Sequence, residues 1–117
     1  MRSRCRAIVV VLACGALILP AQPSLARRYG VSVSGNKWSP ARRTIARGDV
    51  VVWKNNSSIR HDVSAYGGNW SKYELLQPGE RTKRRFRKRG THKYRCALHS
   101  SLSGGRCNGM CGRIKVG

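Results

Sequence analysis

The side chains with the richest chemistry lie close together near the carboxyl terminus of the sequence. Between Tyr94 and Gly112 there are one imidazole, one thioether and three of the five cysteines in the chain. These side chains are His99, Met110, Cys96, Cys107 and Cys111. Sulfur and imidazole ligands favour copper or zinc over magnesium or calcium. The stretch therefore predicts a site for a soft or borderline transition-metal ion.

The strand that carries the first of these cysteines predicts which way its side chain points. His92, Tyr94 and Cys96 alternate with Lys93 and Arg95. Successive side chains of a strand lie on opposite faces of the sheet. The charged face must be in contact with water, so we expect Cys96 to point into the protein.

A set of ligands from different segments can be assembled around Cys96. His99 follows three residues later, in a predicted loop, and His61 follows the Asn55–Ser58 break at the end of a valine-rich strand. Two strands that end at the same pole of a sandwich would bring both histidines to the cysteine. Two imidazoles, one thiolate and a weak axial thioether, here from Met110, form the donor set of blue-copper sites.

The first 26 residues predict a signal peptide with cleavage near Ala26. Three arginines in Met1–Arg6 precede the apolar segment Ala7–Leu19, and small residues stand at the two positions that a signal peptidase recognises. The apolar segment is too short to span a bilayer. We therefore expect a secreted or periplasmic protein. A lipoprotein site at Cys14 is the alternative, but it would leave an apolar tail directly after the lipid.

After this cleavage, residues 27–117 form one small domain that contains three cysteines, Cys96, Cys107 and Cys111. Small domains bury a limited core, so a metal ion or a disulfide contributes much to their stability. In an oxidising compartment, an odd number of cysteines suggests one disulfide and one thiol with another task. We expect the disulfide to join Cys107 to Cys111 and to fix the shape of the chain around Met110.

Two other arrangements of these side chains are open. A structural zinc site could use three thiolates and one imidazole, from Cys96, His99, Cys107 and Cys111. Export disfavours this site because cysteines tend to oxidise outside the cell, and the spacing is not that of paired zinc knuckles. Alternatively, Cys96 could be only a buried thiol beside a disulfide. Neither arrangement gives a task to His61.

The domain is predicted to be all-β. Tyr29–Ser34 alternates between apolar and polar residues, Val50–Trp53 is β-branched and aromatic, and the segments Thr91–Cys96 and Arg113–Val116 are two further predicted strands. Glycine, proline and asparagine mark turns between the predicted strands, and no segment has a sustained helical periodicity. This spacing of turn signals is typical of a small β-sandwich or barrel.

The mature chain is strongly basic. Without the three arginines of the signal peptide it has 21 lysines and arginines against four acidic residues, a net charge of +17. Such a charge attracts acidic proteins, anionic polymers or membrane surfaces. The densest run, Arg81–Arg89, predicts a solvated strand whose cations discourage edge-to-edge pairing, or alternatively a docking patch. Specific nucleic-acid binding is not expected, because Phe86 is the only aromatic residue in this run.

The order of these motifs resembles that of the cupredoxins, the plastocyanin and azurin family. The similar segments are Trp38–Pro40, Ala46–Asn55, His61–Val63, Pro78–Gly79, Gly90–His99 and Gly109–Gly112. The resemblance covers nearly all of the mature chain. It implies a Greek-key β-sandwich that holds one mononuclear type 1 copper ion and passes single electrons.

By matching position, the resemblance implies that His61, Cys96 and His99 are the strong equatorial ligands and that Met110 is the axial ligand. Ten residues separate His99 from Met110, which is more than the family usually has. The inserted segment, Ser100–Cys107, is rich in serine and glycine and is expected to be a loop.

We therefore expect a monomeric electron carrier rather than an enzyme, because the sequence shows no nucleophile–base pair. Its copper ion would exchange electrons with a redox partner that has an acidic surface. One alternative is a copper carrier or sensor that does not cycle the ion. The other is a secreted cationic binding protein that is stabilised by zinc.

Overall fold

A computed structural model describes residues 25–117 of the chain. The predicted signal peptide, with the alternative lipoprotein site at Cys14, falls almost entirely on residues outside this range and stays a prediction. Within the described range there are nine strands, and no helix is long and apolar enough to cross a membrane. The strands are β1 (Arg28–Val33), β2 (Trp38–Ser39), β3 (Arg42–Ile45), β4 (Val50–Lys54), β5 (His61–Tyr66), β6 (Tyr73–Leu76), β7 (Arg81–Arg85), β8 (Gly90–Ser103) and β9 (Arg106–Val116).

The strands form two mixed sheets that share one core. The four-stranded sheet has the order β2-β1-β4-β7, and the five-stranded sheet has the order β3-β9-β8-β5-β6. Two neighbouring pairs, β1 with β4 and β3 with β9, are parallel, and the other pairs are antiparallel. Strands that are distant in sequence are neighbours in both sheets, as in a Greek-key sandwich. The predicted all-β sandwich is confirmed.

The core is built from residues of both sheets. Val31 and Trp53 come from the four-stranded sheet, and Val63, Tyr94 and Ile114 come from the five-stranded sheet. None of these side chains is more than 1% exposed. Burial of apolar area on this scale is the main favourable contribution to folding.

The predicted alternation along β8 is confirmed. His92, Tyr94 and Cys96 are at most 2% exposed, whereas Lys93 and Arg95 are partly exposed. Cys96 therefore points into the protein, on the same face of the sheet as the core residue Tyr94.

The strands β8 and β9 form a long hairpin that contains the inserted segment. Ser103 pairs with Arg106 across a two-residue turn of Gly104 and Gly105, whose φ angles are +57° and +77°. Two left-handed residues match the twist of antiparallel strands, and glycine adopts them without steric cost. The expectation that Ser100–Cys107 is a loop is wrong, because these residues extend both strands of the hairpin.

The basic run forms an edge strand, as predicted, but a shorter one. Strand β7 ends at Arg85, not at Arg89, and pairs only with β4. Its residues alternate between exposed and partly exposed positions. Long cationic side chains on an edge keep other strands from pairing there.

Five buried side-chain polar atoms have no hydrogen-bond partner among the described residues: the indole nitrogens of Trp38 and Trp53, the hydroxyl of Tyr94, Nε2 of His61 and Nδ1 of His92. Burial raises the pKa of Tyr94 to about 12. An unpaired buried donor costs about 1–3 kcal/mol. Because phenylalanine would fill the space of Tyr94 without this cost, packing alone does not account for the buried hydroxyl of Tyr94.

His92 is a buried histidine outside the candidate ligand set. It is 2% exposed and lies near Trp70 and Phe86, at ring-centroid distances of 5.9 and 5.0 Å. Burial lowers the pKa of His92, and the positive charges of Lys88 and Arg84 also lower it. The ordinary pKa of histidine is 6.5. As the pH falls below this value, His92 binds a proton in the unfolded chain but not in the folded protein. Stability is then lost as the pH falls.

We expect His92→Phe to remove part of this acid sensitivity. The urea midpoint of the metal-free variant should fall less than that of the wild type as the pH is lowered through 6.5. Some dependence should persist, because burial also lowers the pKa of His61. Equal slopes for the variant and the wild type would show that His92 does not carry this effect.

Candidate metal centre

Two histidines and one cysteine converge on β5 and β8 of the five-stranded sheet. The sulfur of Cys96 lies 3.7 Å from Nδ1 of His61 and 3.4 Å from Nδ1 of His99. The ligand atoms of all three residues lie within 4.8 Å of one another. Donors at about 2.0–2.3 Å from one ion are spaced roughly 3.5–4 Å apart in a trigonal plane. The three side chains therefore fit a single metal ion.

The cluster is buried on one side and open on the other. His61 and Cys96 have no exposed surface, whereas His99 is partly exposed. The two imidazole rings have a centroid distance of 4.7 Å. When Nδ1 of a histidine binds an ion, Nε2 carries the ring proton, and in His61 this nitrogen is buried without a protein partner. Because His61 and Cys96 are fully buried, water can approach the cluster mainly past His99.

A bulge in β8 brings Cys96 and His99 together. The pairing of β8 with β9 stops after Arg95 and resumes at Ser100, so that residues 96–99 of β8 face Met110 alone on β9. Extra residues in one strand bend that strand and re-aim its side chains. His99 thus lies in an irregular stretch of a strand, and the expectation that it lies in a loop is corrected.

Hydrogen bonds tie the two ends of this bulge together. The hydroxyl of Ser100 donates to the carbonyl oxygen of Cys96 at 2.6 Å. The guanidinium of Arg95 donates to the carbonyl and hydroxyl oxygens of Ser100 at 3.2 and 3.0 Å. His61 reaches the bulge as the first residue of β5, whereas the sequence had suggested the end of the valine-rich strand.

Asp62 holds the bulge against β5, a role that the sequence analysis missed. Its side chain is 1% exposed. Its carboxylate oxygens accept hydrogen bonds from the backbone N–H groups of Ala97 (2.9 Å) and Leu98 (3.1 Å), and the hydroxyl of Ser64 also donates to one of them. The N–H of Asp62 donates to the sulfur of Cys96 at 3.3 Å. The sequence does contain a signal for this role: Asp62 directly follows the candidate ligand His61, and acidic residues are rare in this chain, which has four.

Met110 faces the bulge from β9 and has no exposed surface. It lies within β9, which begins at Arg106 and not at Arg113 as the sequence predicted. The preceding Gly109 has a φ of +107°, and a Cβ atom there would lie 2.5 Å from the carbonyl oxygen of His99. Only glycine permits this approach of the two strands. The glycine therefore allows β9 to place Met110 opposite the clustered ligands.

The predicted disulfide between Cys107 and Cys111 is confirmed. Their Cα atoms are 6.1 Å apart, whereas four residues of regular strand span about 13 Å, so β9 bends sharply between them. Cys96 is the only free cysteine in the described part of the chain. The alternative zinc site with three thiolates is excluded, because two of its cysteines are bonded to each other.

The ligands have shifted proton affinities in the absence of a metal ion. Burial raises the pKa of Cys96, although the N–H of Asp62 offsets part of this rise. Burial also lowers the pKa of His61, and the nearby His99 lowers it further. Cys96 therefore carries its proton when no metal is bound, while His61 is an uncharged ligand. A metal ion must displace the thiol proton, so metal affinity is expected to increase with pH.

Comparison with known proteins gives matches to solved structures, whereas no protein-family model matches the chain. The reduced state of a proline-to-phenylalanine variant of amicyanin has a TM-score of 0.65 and 21% identity, with coverage of 77% of this chain and 82% of that chain. An oxidised methionine-to-leucine variant of amicyanin has a TM-score of 0.63 and 19% identity, with coverage of 76% and 81%. A purple cupredoxin from Nitrosopumilus maritimus has a TM-score of 0.58 and 23% identity, with coverage of 76% and 99%.

Proposed function

We propose that this chain, which has the cupredoxin fold, is an exported electron carrier whose type 1 copper ion is bound by His61, Cys96, His99 and Met110. The observation that carries this proposal is the meeting of one thiol sulfur with two imidazole nitrogens within 4.8 Å. In this fold, that cluster with the nearby Met110 supports one mononuclear copper site. We further propose that the mature protein is a monomer without a catalytic reaction of its own.

The protein scaffold suits one-electron chemistry, which bound copper supplies by alternating between copper(I) and copper(II). Thiolate and imidazole donors are compatible with both states. The hydrogen bond from Ser100 and those to Asp62 hold Cys96 and His99 in place before any metal binds. Little movement is then needed when the charge of the site changes, and a small rearrangement favours fast electron transfer.

The partly exposed His99 offers the route by which electrons leave the site, since His61 and Cys96 are fully buried. Apolar side chains that flank the ligands in the sequence are also exposed: Leu98 by 49% and Ile59 by 46%. Interface cores are depleted in charge and enriched in apolar groups. We place the contact with the redox partner on this surface around His99.

The cations of the protein are available to attract that partner, because most carboxylates are already engaged. Three of the four acidic side chains accept hydrogen bonds from backbone N–H groups; these are Asp49, Asp62 and Glu80. With 21 cations against four carboxylates, most of the net charge of +17 of the mature chain is presented to the solvent. An acidic surface on the partner would complement it.

We expect electron transfer to an acidic partner to slow as salt is added, because the Debye length shortens to roughly 8 Å at physiological ionic strength. Stopped-flow measurement of copper(I) oxidation, from low to high salt, checks this. An uncharged small-molecule oxidant is the matched control and should react at a rate that salt barely changes. Salt-independent transfer to the native partner would argue against an acidic docking surface.

We expect Met110→Leu to keep copper and colour and to raise the reduction potential, because a weak donor to copper(II) is lost. Met110→Gln should lower the potential, because a harder oxygen donor favours copper(II). Leucine has nearly the volume of methionine, so the core should lose less than about 1.5 kcal/mol of stability. Cyclic voltammetry measures both shifts. Unchanged potentials in both variants would mean that Met110 only packs beneath the bulge.

Addition of copper(II) to the purified metal-free protein tests the proposed site. A thiolate bound to copper(II) in a trigonal site should give an intense blue charge-transfer band. A pale solution with bound copper would instead favour a carrier or sensor that uses other ligands. Addition of zinc(II) is the control, since this ion binds similar donors but has no redox chemistry.

A further inference from the structure

A continuous series of aromatic rings connects the candidate ligand His61 with the surface of the protein. The ring-centroid distance is 6.5 Å from His61 to Trp38, 5.7 Å from Trp38 to Tyr94 and 5.2 Å from Tyr94 to Trp53. Trp53 lies 6.5 Å from Trp70, with only 21° between the ring planes. Trp38, Tyr94 and Trp53 are at most 2% exposed, and Trp70 is partly exposed. Oxidisable rings thus bridge the core from the metal cluster to solvent.

We propose that this series is a relay that carries oxidising equivalents from the surface to the metal centre. A one-electron oxidant of the small inorganic radical class removes an electron from the indole of Trp70. The resulting electron vacancy then moves through Trp53 and Trp38 to the metal. The final step rests on the proposed function, since a bound copper(I) ion would be the electron donor there.

The identity of the rings favours a role beyond packing. The indole nitrogens of Trp38 and Trp53 are buried without a partner, which disfavours tryptophan relative to an apolar ring. Phe86 packs in the same cluster, 6.4 Å from Trp53 and 5.3 Å from Trp70, so the series of indoles lies beside a ring of the other type. Of the two side chains, only tryptophan is readily oxidised, and the relay gives that property a use.

The missing hydrogen-bond partners also keep the vacancy mobile. An oxidised indole becomes trapped when its N–H proton moves to a base, and among the described residues no basic group accepts a hydrogen bond from the N–H of Trp38 or Trp53. The N–H of Trp70 donates to the carbonyl oxygen of Lys93 at 2.9 Å, and an amide carbonyl is too weak a base to remove the proton. Tyr94 likewise has no acceptor for its hydroxyl proton, so it acts as a bridge between two indoles and not as a trap.

Positive charges lie over the two rings at the surface end of the relay. The guanidinium of Arg84 lies over the ring of Trp70 at 5.3 Å, and the ammonium of Lys72 lies over the ring of Trp53 at 5.9 Å. A nearby cation disfavours a positively charged radical by Coulomb repulsion. Within residues 25–117, no cation is found over the ring of Trp38. These cations disfavour a vacancy that rests at Trp70 or Trp53, whereas burial disfavours one that rests at Trp38.

The electrons balance without any movement of atoms. The oxidant gains one electron and becomes its reduced anion, and a copper(I) ion held by His61, Cys96 and His99 would supply that electron and become copper(II). Trp70, Trp53 and Trp38 each lose and regain one electron and return to their starting state. The last transfer is downhill, because an oxidised indole is a far stronger oxidant than copper(II) bound by imidazole and thiolate. The relay would thus protect the aromatic core from oxidative damage.

Pulse radiolysis with azide radicals, which oxidise indoles selectively, tests the relay. In the copper(I) protein, the absorption of the tryptophan radical should decay at the rate at which the blue colour appears. Trp53→Phe should slow this step by an order of magnitude. Phe86→Leu is the matched control, because Phe86 contacts Trp53 and Trp70 but is outside the series. A Trp53→Phe protein that turns blue as fast as the wild type would overturn the relay.

A second measurement does not depend on copper. In the zinc-loaded and metal-free proteins, mass spectrometry after radiolysis should find oxidation at the buried Trp38 as well as at Trp70. Trp53→Phe should confine the products to Trp70, and Trp70→Phe, at a partly exposed position, should lower the yield at Trp38. Oxidation confined to Trp70 in the wild type would exclude migration through the core. Suppose that Trp38 is oxidised in this experiment but the protein does not become blue when copper(II) is added. The proposed type 1 copper site would then be refuted, and the tryptophan relay would stand.

Discussion

Replacement of Cys96 by serine is expected to abolish the blue band completely while the β-sandwich persists. The colour requires a sulfur-to-copper transition, and Cys96 is the only free cysteine in the described residues. Serine has a similar size, so the buried position next to Asp62 should accommodate it. Copper affinity should fall by more than the roughly 10–100-fold that loss of a supporting residue costs. Absorption spectroscopy and copper titration, with circular dichroism for the fold, measure these effects.

The double variant Cys107→Ser, Cys111→Ser is the matched control for this prediction. It also removes sulfur atoms close to Met110, but these two are already bonded to each other. We expect this variant to stay blue, with a lower stability of the hairpin. If the colour survives Cys96→Ser and disappears in the double variant, the thiolate that binds copper is not Cys96.

Asp62→Ala is expected to weaken both the fold and the metal site. The substitution leaves the N–H groups of Ala97 and Leu98 without their acceptor, so the metal-free protein should lose about 2–4 kcal/mol of stability. Copper affinity should fall roughly 10–100-fold, because the bulge that carries Cys96 and His99 is no longer held. Urea denaturation and competitive copper titration measure the two losses separately.

Asp49→Ala provides the control for this second prediction. The carboxylate of Asp49 also accepts two backbone hydrogen bonds, from Arg27 at 3.0 Å and Ala46 at 2.9 Å, but it is not part of the cluster around Cys96. We expect this variant to be less stable with an unchanged copper affinity and spectrum. If both aspartate variants lose copper affinity equally, general destabilisation accounts for the loss and Asp62 has no special role.

The orientation of Cys96 could be predicted from the sequence because strand geometry is local. Alternation of Lys93 and Arg95 with His92, Tyr94 and Cys96 leaves only one way to keep the charges in water. The structure agrees, and it brings Cys96 within 4.8 Å of both histidine ligand atoms. Alternation alone does not say where a strand from elsewhere in the chain will pair. The meeting with His61 was therefore inferred from the shared pole of a sandwich and from the family resemblance.

The bulge and the extended hairpin could not be obtained in the same way. Glycine has low strand propensity, which favours a loop over Ser100–Cys107, although Gly104-Gly105 is a recognised signal for a two-residue hairpin turn. In the bulge, residues 96–99 of β8 lie opposite the single residue Met110 of β9. This mismatch depends on the register between the two strands, which the whole sheet sets. The clamp by Asp62 depends on the same register, because its partners lie more than thirty residues away.

A spectroelectrochemical titration of the copper-loaded protein tests the central claim most directly, since an electron carrier must cycle its metal without losing it. The account predicts one reversible one-electron transition. The blue band should bleach on reduction and return with its full intensity on reoxidation, over many cycles and with one copper ion retained per chain. A protein that binds copper(II) without a blue band, or that releases copper on reduction, would contradict the account.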